Sequence, residues 1–146
     1  RIWVDADATP RAVKEMLFKA ALKRGVSVIL VANRWLQIPT SPRIQLQVVG
    51  QGFDLADEHI VEQVQAGDLV VSADIPLAAA AVDKGAMCVD PRGEVIDADN
   101  ARSRLAMRDF METMRESGQV TGGPAPYADK DKHKFASVLD KWISRR

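Results

Sequence analysis

Short apolar runs recur along this chain, and four of them stop at a polar side chain. Ile2-Trp3-Val4 stops at Asp5, Val26–Ala32 at Asn33, Leu69–Ala73 at Asp74 and Ala86–Val89 at Asp90. Runs of this length without alternation are strands buried on both faces, as in parallel sheets. A further run, Ile44 to Val49, alternates apolar and polar residues and reads as a strand nearer the sheet edge.

Helical segments lie between these strands. Val13, Met16, Leu17, Ala20 and Ala21 recur at helical spacing before Gly25, and Thr9-Pro10 supplies an N-cap and a first-turn proline. Leu55 to Ala66 and Pro76 to Lys84 are each followed by glycine. Two further helices are expected over about 99–116 and 129–144, the latter with Phe135, Val138, Leu139, Trp142 and Ile143 on one face. The alternation predicts an α/β chain: a single three-layer α/β/α domain with a mainly parallel sheet of about five strands. The helices from about 99 onward pack on that core or extend it.

In an open parallel sheet all strand carboxyl ends lie on one edge, where ligands bind at the topological switch point. Asp5, Asp74 and Asp90 belong to that edge, and Asp7 sits two residues beyond Asp5. The chain has 14 Asp against 6 Glu, and Asp prefers caps, turns and metal sites over helix interiors. Asp57 shares a helical face with Ile60, Val61 and Val64. It is therefore expected to point inward at the helix N-terminus, where the dipole or a shared cation offsets its charge.

Each acid also has a purely structural reading. Asp54 reads as an N-cap and Asp68 as a loop acid. Asp74 is an N-cap or a ligand, and Asp90 before Pro91 is a turn former or a ligand. Clustered carboxylates repel unless protons or a metal intervene. Oxygen ligands without His or Cys suit Mg²⁺ or Mn²⁺, ions that activate water in phosphoryl transfer.

Composition removes other classes. No apolar run is long enough to span a membrane. One cysteine, Cys88, excludes a disulfide framework and a cysteine zinc site. No signal peptide is recognisable, and a cytoplasmic protein is expected. Formal net charge is zero. Residues 1–100 nevertheless carry 10 basic and 14 acidic groups, and 101–146 carry 10 basic and 6 acidic. The basic tail fits either a solvated helix or an anionic partner such as RNA.

Two resemblances add to this reading. Asp5-Ala6-Asp7-Ala8-Thr9 after a strand resembles the opening of haloacid-dehalogenase-like phosphatases. That resemblance implies Asp5 as nucleophile and Asp7 as general acid/base. The later acidic motif departs, because Gly67-Asp68 precedes a strand here instead of following one.

The second resemblance covers nearly the whole chain. It rests on Ile2-Trp3-Val4-Asp5-Ala6-Asp7-Ala8-Thr9-Pro10, Gly52-Phe53-Asp54-Leu55-Ala56-Asp57 and Ala73-Asp74-Ile75-Pro76-Leu77-Ala78. Pro91-Arg92-Gly93, Met107-Arg108-Asp109-Phe110 and Thr121-Gly122-Gly123-Pro124 follow in order. Together they resemble the bacterial YaiI/YqxD family of PIN-like proteins, with Thr9 where that family has Cys. The resemblance implies a PIN-like fold and a nuclease that uses Mg²⁺ or Mn²⁺ to hydrolyse phosphodiesters, with RNA as the expected substrate. It implies catalytic roles for Asp5, Asp7, Asp57 and Asp74, and metal ligation by Asp5, Asp57, Asp74 and Asp90. A non-catalytic RNA- or protein-binding module is the remaining alternative, since acid clusters survive in binding-only proteins.

Substrate contacts are expected from Asn33, Arg34 and Arg92 on the rim, and from Thr121, Gly122 and Gly123 as an anion nest. Surface arginines and a plain loop are the structural alternatives. Trp35 either stacks on a base or packs under the proline loop. His59 reads as solvated, and Cys88 as buried and inert.

Overall fold

The computed structural model describes residues 1–52, 55–119 and 125–146. The elements run β1 (Ile2–Asp5), α1 (Arg11–Arg24), β2 (Val28–Ala32), β3 (Ile44–Val48), α2 (Leu55–Gln63) and β4 (Leu69–Val71). They continue with α3 (Ile75–Asp83), β5 (Met87–Val89), β6 (Val95–Ile96), α4 (Ala101–Glu116) and α5 (Asp129–Ser144). The strands form one six-stranded sheet in the order β3-β2-β1-β4-β5-β6. All neighbours are parallel except the pair β5 and β6. The expected sheet of about five strands therefore gains a short antiparallel edge.

Side chains alternate across the sheet and make two cores. Ile2, Val4, Leu30, Leu69 and Val71 pack with Val13 and Leu17 of α1 and with Phe135, Leu139 and Ile143 of α5. Trp3, Ile29, Val31, Val70 and Cys88 pack with Ala56 and Ile60 of α2 and with Leu77, Ala78 and Ala81 of α3. The layers are α/β/α. Full burial of each large apolar side chain contributes roughly 1.5–3 kcal/mol, and Trp3, Leu17, Phe135 and Ile60 are all essentially inaccessible. α5 is part of the core, whereas α4 buries no residue and lies against α3. No helix among the described residues is long and apolar enough to cross a membrane.

Several local expectations shift. Thr9 does not cap α1; Pro10 holds that position. The Thr9 hydroxyl instead donates to the carbonyl of Asp5 at 2.7 Å, closing the 3₁₀ turn Ala6–Ala8. A hydroxyl that bonds its own turn is a common competitor to helix capping. The buried face of α2 is Ala56 and Ile60, continued by Val64 just beyond the helix. Asp57 is consequently half-buried on the flank of the helix, not inward against the sheet.

Asp68 is no simple loop acid. It is buried and accepts from the Trp3 indole at 3.0 Å, the Gln65 N–H at 2.9 Å and Arg1 at 3.1 Å. Burial alone would raise its pKa, but these donors and the Arg1 charge outweigh it and hold the carboxyl below the ordinary range.

The Pro91-Arg92-Gly93 turn is the joint that seats α5. Arg92 donates to Asp131 Oδ2 at 3.0 Å and to the Ala125 carbonyl, with its guanidinium 5.9 Å from the Tyr127 ring. Asp131 also accepts from the Ala128 N–H at 2.9 Å, tying down the start of the helix. Gly93 has φ +86°, and a Cβ there would fall 2.7 Å from the Lys134 carbonyl carbon and 2.8 Å from the Phe135 nitrogen. Gly93→Ala is expected to cost about 2–5 kcal/mol from left-handed strain plus overpacking. Urea unfolding measures this, and an unchanged midpoint would contradict the close approach.

Candidate active site

The site begins with the register of β1. Val4 pairs with Val71 of β4, so Asp5 stands beside Ser72, the next residue. The sheet runs from β1 to β2 and β3 on one side and to β4 and β5 on the other. The gap between β1 and β4 is therefore the topological switch point. Both Asp5 and Ser72 lie on the α2–α3 face there, two residues on from Trp3 and Val70.

Asp5 is 8% exposed and Ser72 is 1% exposed. The Ser72 hydroxyl donates to Asp5 Oδ2 at 3.2 Å, and its oxygen accepts from the Asp74 N–H at 3.0 Å. This dual role ends the apolar run at Val71, two residues earlier than expected. Asp74 N-caps α3, accepting from the Leu77 N–H at 2.9 Å. Asp7 is exposed, and its Oδ2 accepts from the Asn33 N–H at 2.7 Å. The β1 rim is thereby tied to the end of β2.

Burial raises the pKa of Asp5, and the charges of Asp74 and Asp7 raise it further against the lowering effect of Ser72. The Oδ1 of Asn33 is buried and has no hydrogen-bond partner. An orphaned acceptor beside mutually repelling carboxylates is a setting that a cation or water relieves.

Asp57 reaches the site from α2. With Asp74, Val61, Pro76 and Arg108 it lines an open cleft of about 590 Å³ between α2, α3 and α4. Asp74 thus links two groups, Asp5 with Asp7 and Asp57 with Arg108. Arg108 contributes a guanidinium to this cleft, 3.0 Å from Glu112 and 3.2 Å from Asp109. Neither Ser72 nor Arg108 is evident as a site residue in the sequence. The signal for Ser72 is one hydroxyl inside an apolar run, at the position that parallel register sets beside Asp5.

Asp90 stands apart. Its Oδ1 accepts from the Arg92 and Glu94 N–H groups, both at 2.9 Å. Its pKa is raised chiefly by burial, and the charges it feels are those of Glu94 and Arg104. The guanidinium of Arg92 is committed to the α5 joint, and Arg34 is exposed. His59 is half-buried, bonded to Gln47 and edge-on to Trp3 at 6.5 Å. Cys88 is inaccessible, and burial pushes its thiol up to about 12. Trp35 is not packed under the proline loop; it is 72% exposed. Thr121, Gly122, Gly123 and Asp54 lie outside the described residues.

Among the described residues no three His, Cys, Asp or Glu side chains are arranged as a cage for a metal ion. The donor chemistry still fits Mg²⁺ or Mn²⁺. Mg²⁺ characteristically keeps several waters and binds one or two carboxylates, with substrate phosphates completing its shell.

The fold and site define an α/β/α protein with an acidic rim at the switch point of a mainly parallel sheet. The chain belongs to the family described as uncharacterised BCR, YaiI/YqxD family, which it matches over residues 3–145. It is 54% identical to the UPF0178 protein Shewmr7_1635 of Shewanella sp. (strain MR-7), covering 99% of this chain and 95% of that protein. It is 55% identical to a UPF0178 protein of Saccharophagus degradans, covering 99% and 96%. A UPF0178 protein of Maridesulfovibrio salexigens is 54% identical over 99% and 96%. No solved structure matches the chain.

Asp5 has a folded pKa above its unfolded value, so its contribution to stability is present below the ordinary aspartate range. It is lost as pH rises through the folded value. Ser72→Ala removes the hydroxyl that donates to Asp5 and is expected to raise that pKa further. The carboxyl carbon of Asp5, followed by NMR titration, should then titrate at higher pH than in the wild type. An unchanged titration would show that Ser72 does not govern Asp5.

Proposed function

We propose that this protein is a metal-dependent phosphodiesterase acting on RNA at the Asp5–Asp74 rim. The observation that carries the reading is the buried Asp5 at the switch point. Burial and two neighbouring acids disfavour its charge, and the unpartnered Asn33 Oδ1 lies at the end of the adjacent strand. Such an arrangement costs stability and persists at sites where a ligand offsets it.

Asp5 and Asp74 are the residues that would hold Mg²⁺ or Mn²⁺, with Asp57 on the Asp74 side. When bound, the ion lowers the pKa of water and offsets charge on phosphoryl oxygens. Asp7 is exposed and fixed by the Asn33 N–H, so its carboxylate is placed to orient the attacking water. The N-termini of α1 and α3 open on the same edge and favour a phosphate there. Arg108 lines the same cleft as Asp74, and a phosphate oxygen would compete with Asp109 and Glu112 for its guanidinium.

Asp5→Asn is expected to abolish Mn²⁺-dependent cleavage of single-stranded RNA and the rise in melting temperature that bound Mn²⁺ gives. In metal-free buffer at pH 7 the same variant should gain roughly 0.5–2 kcal/mol of stability, the size of other single stabilising changes. Absence of cleavage by the wild type across metals and substrates would contradict the proposal. RNA binding indifferent to Mg²⁺ and to Asp74→Asn would identify a binding module instead.

A further inference from the structure

A second cleft opens on the other side of the rim. It encloses about 580 Å³ between the first turns of α1 and the segment after β2. Its floor is apolar, with Phe18, Leu36 and Ile38, and Arg11, Lys14 and Glu15 stand on its α1 wall. Leu36 and Ile38 pack inward on the α1–α5 core, while their neighbour Trp35 is 72% exposed. Packing therefore does not account for Trp35, a large apolar side chain left in water one residue before the cleft floor at Leu36. A single-stranded nucleic acid asks for this pairing of an aromatic face for a base with cations for its phosphate.

The connection to the acidic rim is covalent and short. Asn33 donates its N–H to Asp7, and Arg34 and Trp35 are the two residues between it and Leu36, where the chain enters the cleft floor. α1 starts just beyond the Asp7 turn, bringing Arg11 and Lys14 to the same edge. A polynucleotide with one phosphodiester at Asp5 and Asp74 would cross Asp7 and Asn33 and arrive here. Arg11 is bonded to Glu15 at 3.3 Å, which leaves Lys14 as the better phosphate contact.

We propose that Trp35, Lys14 and the Phe18–Leu36–Ile38 floor form a subsite for an unpaired nucleotide flanking the cleaved bond. The proposal rests on the nuclease reading for its register but not for its binding. A duplex keeps its bases stacked and hydrogen-bonded and offers this subsite only phosphates, so single strands are selected.

Binding of a labelled single-stranded RNA of about ten nucleotides, long enough to span one such groove, is measured in EDTA, where no cleavage occurs. The wild type is expected to bind it more tightly than its duplex and to show quenched Trp35 fluorescence. Trp35→Ala should weaken single-strand binding about 5–150-fold, the range for losing one base–aromatic stack. Trp35→Phe should restore most of it, and Lys14→Glu should weaken binding and flatten its salt dependence. Trp35 is exposed, so equal urea midpoints are expected for the wild type and both Trp35 variants. No single-strand binding, or binding unaffected by Trp35→Ala, overturns the subsite. Mn²⁺-dependent cleavage that is indifferent to Trp35→Ala overturns it while leaving the nuclease reading intact. Trp35-dependent binding without cleavage under any metal keeps the subsite and removes the nuclease reading.

Discussion

A carboxylate at the end of the most enclosed strand sets the terms for the rest of this molecule. β1 has parallel partners on both sides and helices on both faces, so Asp5 has little access to water. The cost of an ionised group in that position is met only partly by the Ser72 hydroxyl. Asp7 and Asp74 add to the cost instead of reducing it. A fold selected only for stability would place an apolar or neutral residue there. The strain is local and electrostatic, and it sits where parallel sheets receive ligands.

The surrounding structure is organised to tolerate this. Parallel register fixes Ser72 beside Asp5, and Ser72 in turn receives the N–H of Asp74, which caps α3. The Thr9 hydroxyl returns to the Asp5 carbonyl and holds the turn that carries Asp7. At the far end of β1, Asp68 collects the Trp3 indole and Arg1 and anchors the strand. The Gly93 turn lets α5 close the opposite face at backbone contact distance. These hydrogen bonds position the charged side chains of the rim, while the Asn33 Oδ1 at the end of β2 is left without a partner.

The alternation of apolar runs with helical periodicity was sufficient to read the layers, because both signals are local. α5 matched its expected bounds since Phe135, Leu139 and Ile143 lie on one stripe and the helix starts at Asp129. Strand order was not legible, since nothing local distinguishes a strand inserted beside β1 from one added at an edge. β6 escaped because two residues carry no periodicity. Asp5, Asp7 and Asp74 could be placed together from strand ends alone. Asp57 was turned by about one helical position, because the buried stripe begins at Ala56. Arg92 looked like a phosphate ligand from its place after β5, and only the three-dimensional fold reveals its commitment to Asp131. Arg108 comes to the cleft through packing of α4 on α3, a contact that sequence spacing does not encode.

The proposed role of the Asp5 rim is to hold a divalent cation. A crystal structure of the protein with Mn²⁺, read by anomalous scattering at the manganese edge, addresses it directly. A peak is expected with Asp5 or Asp74 carboxylate oxygens within about 2.0–2.6 Å and waters completing the shell. A structure whose manganese lies elsewhere, with Asp5 bonded only to Ser72, would contradict it.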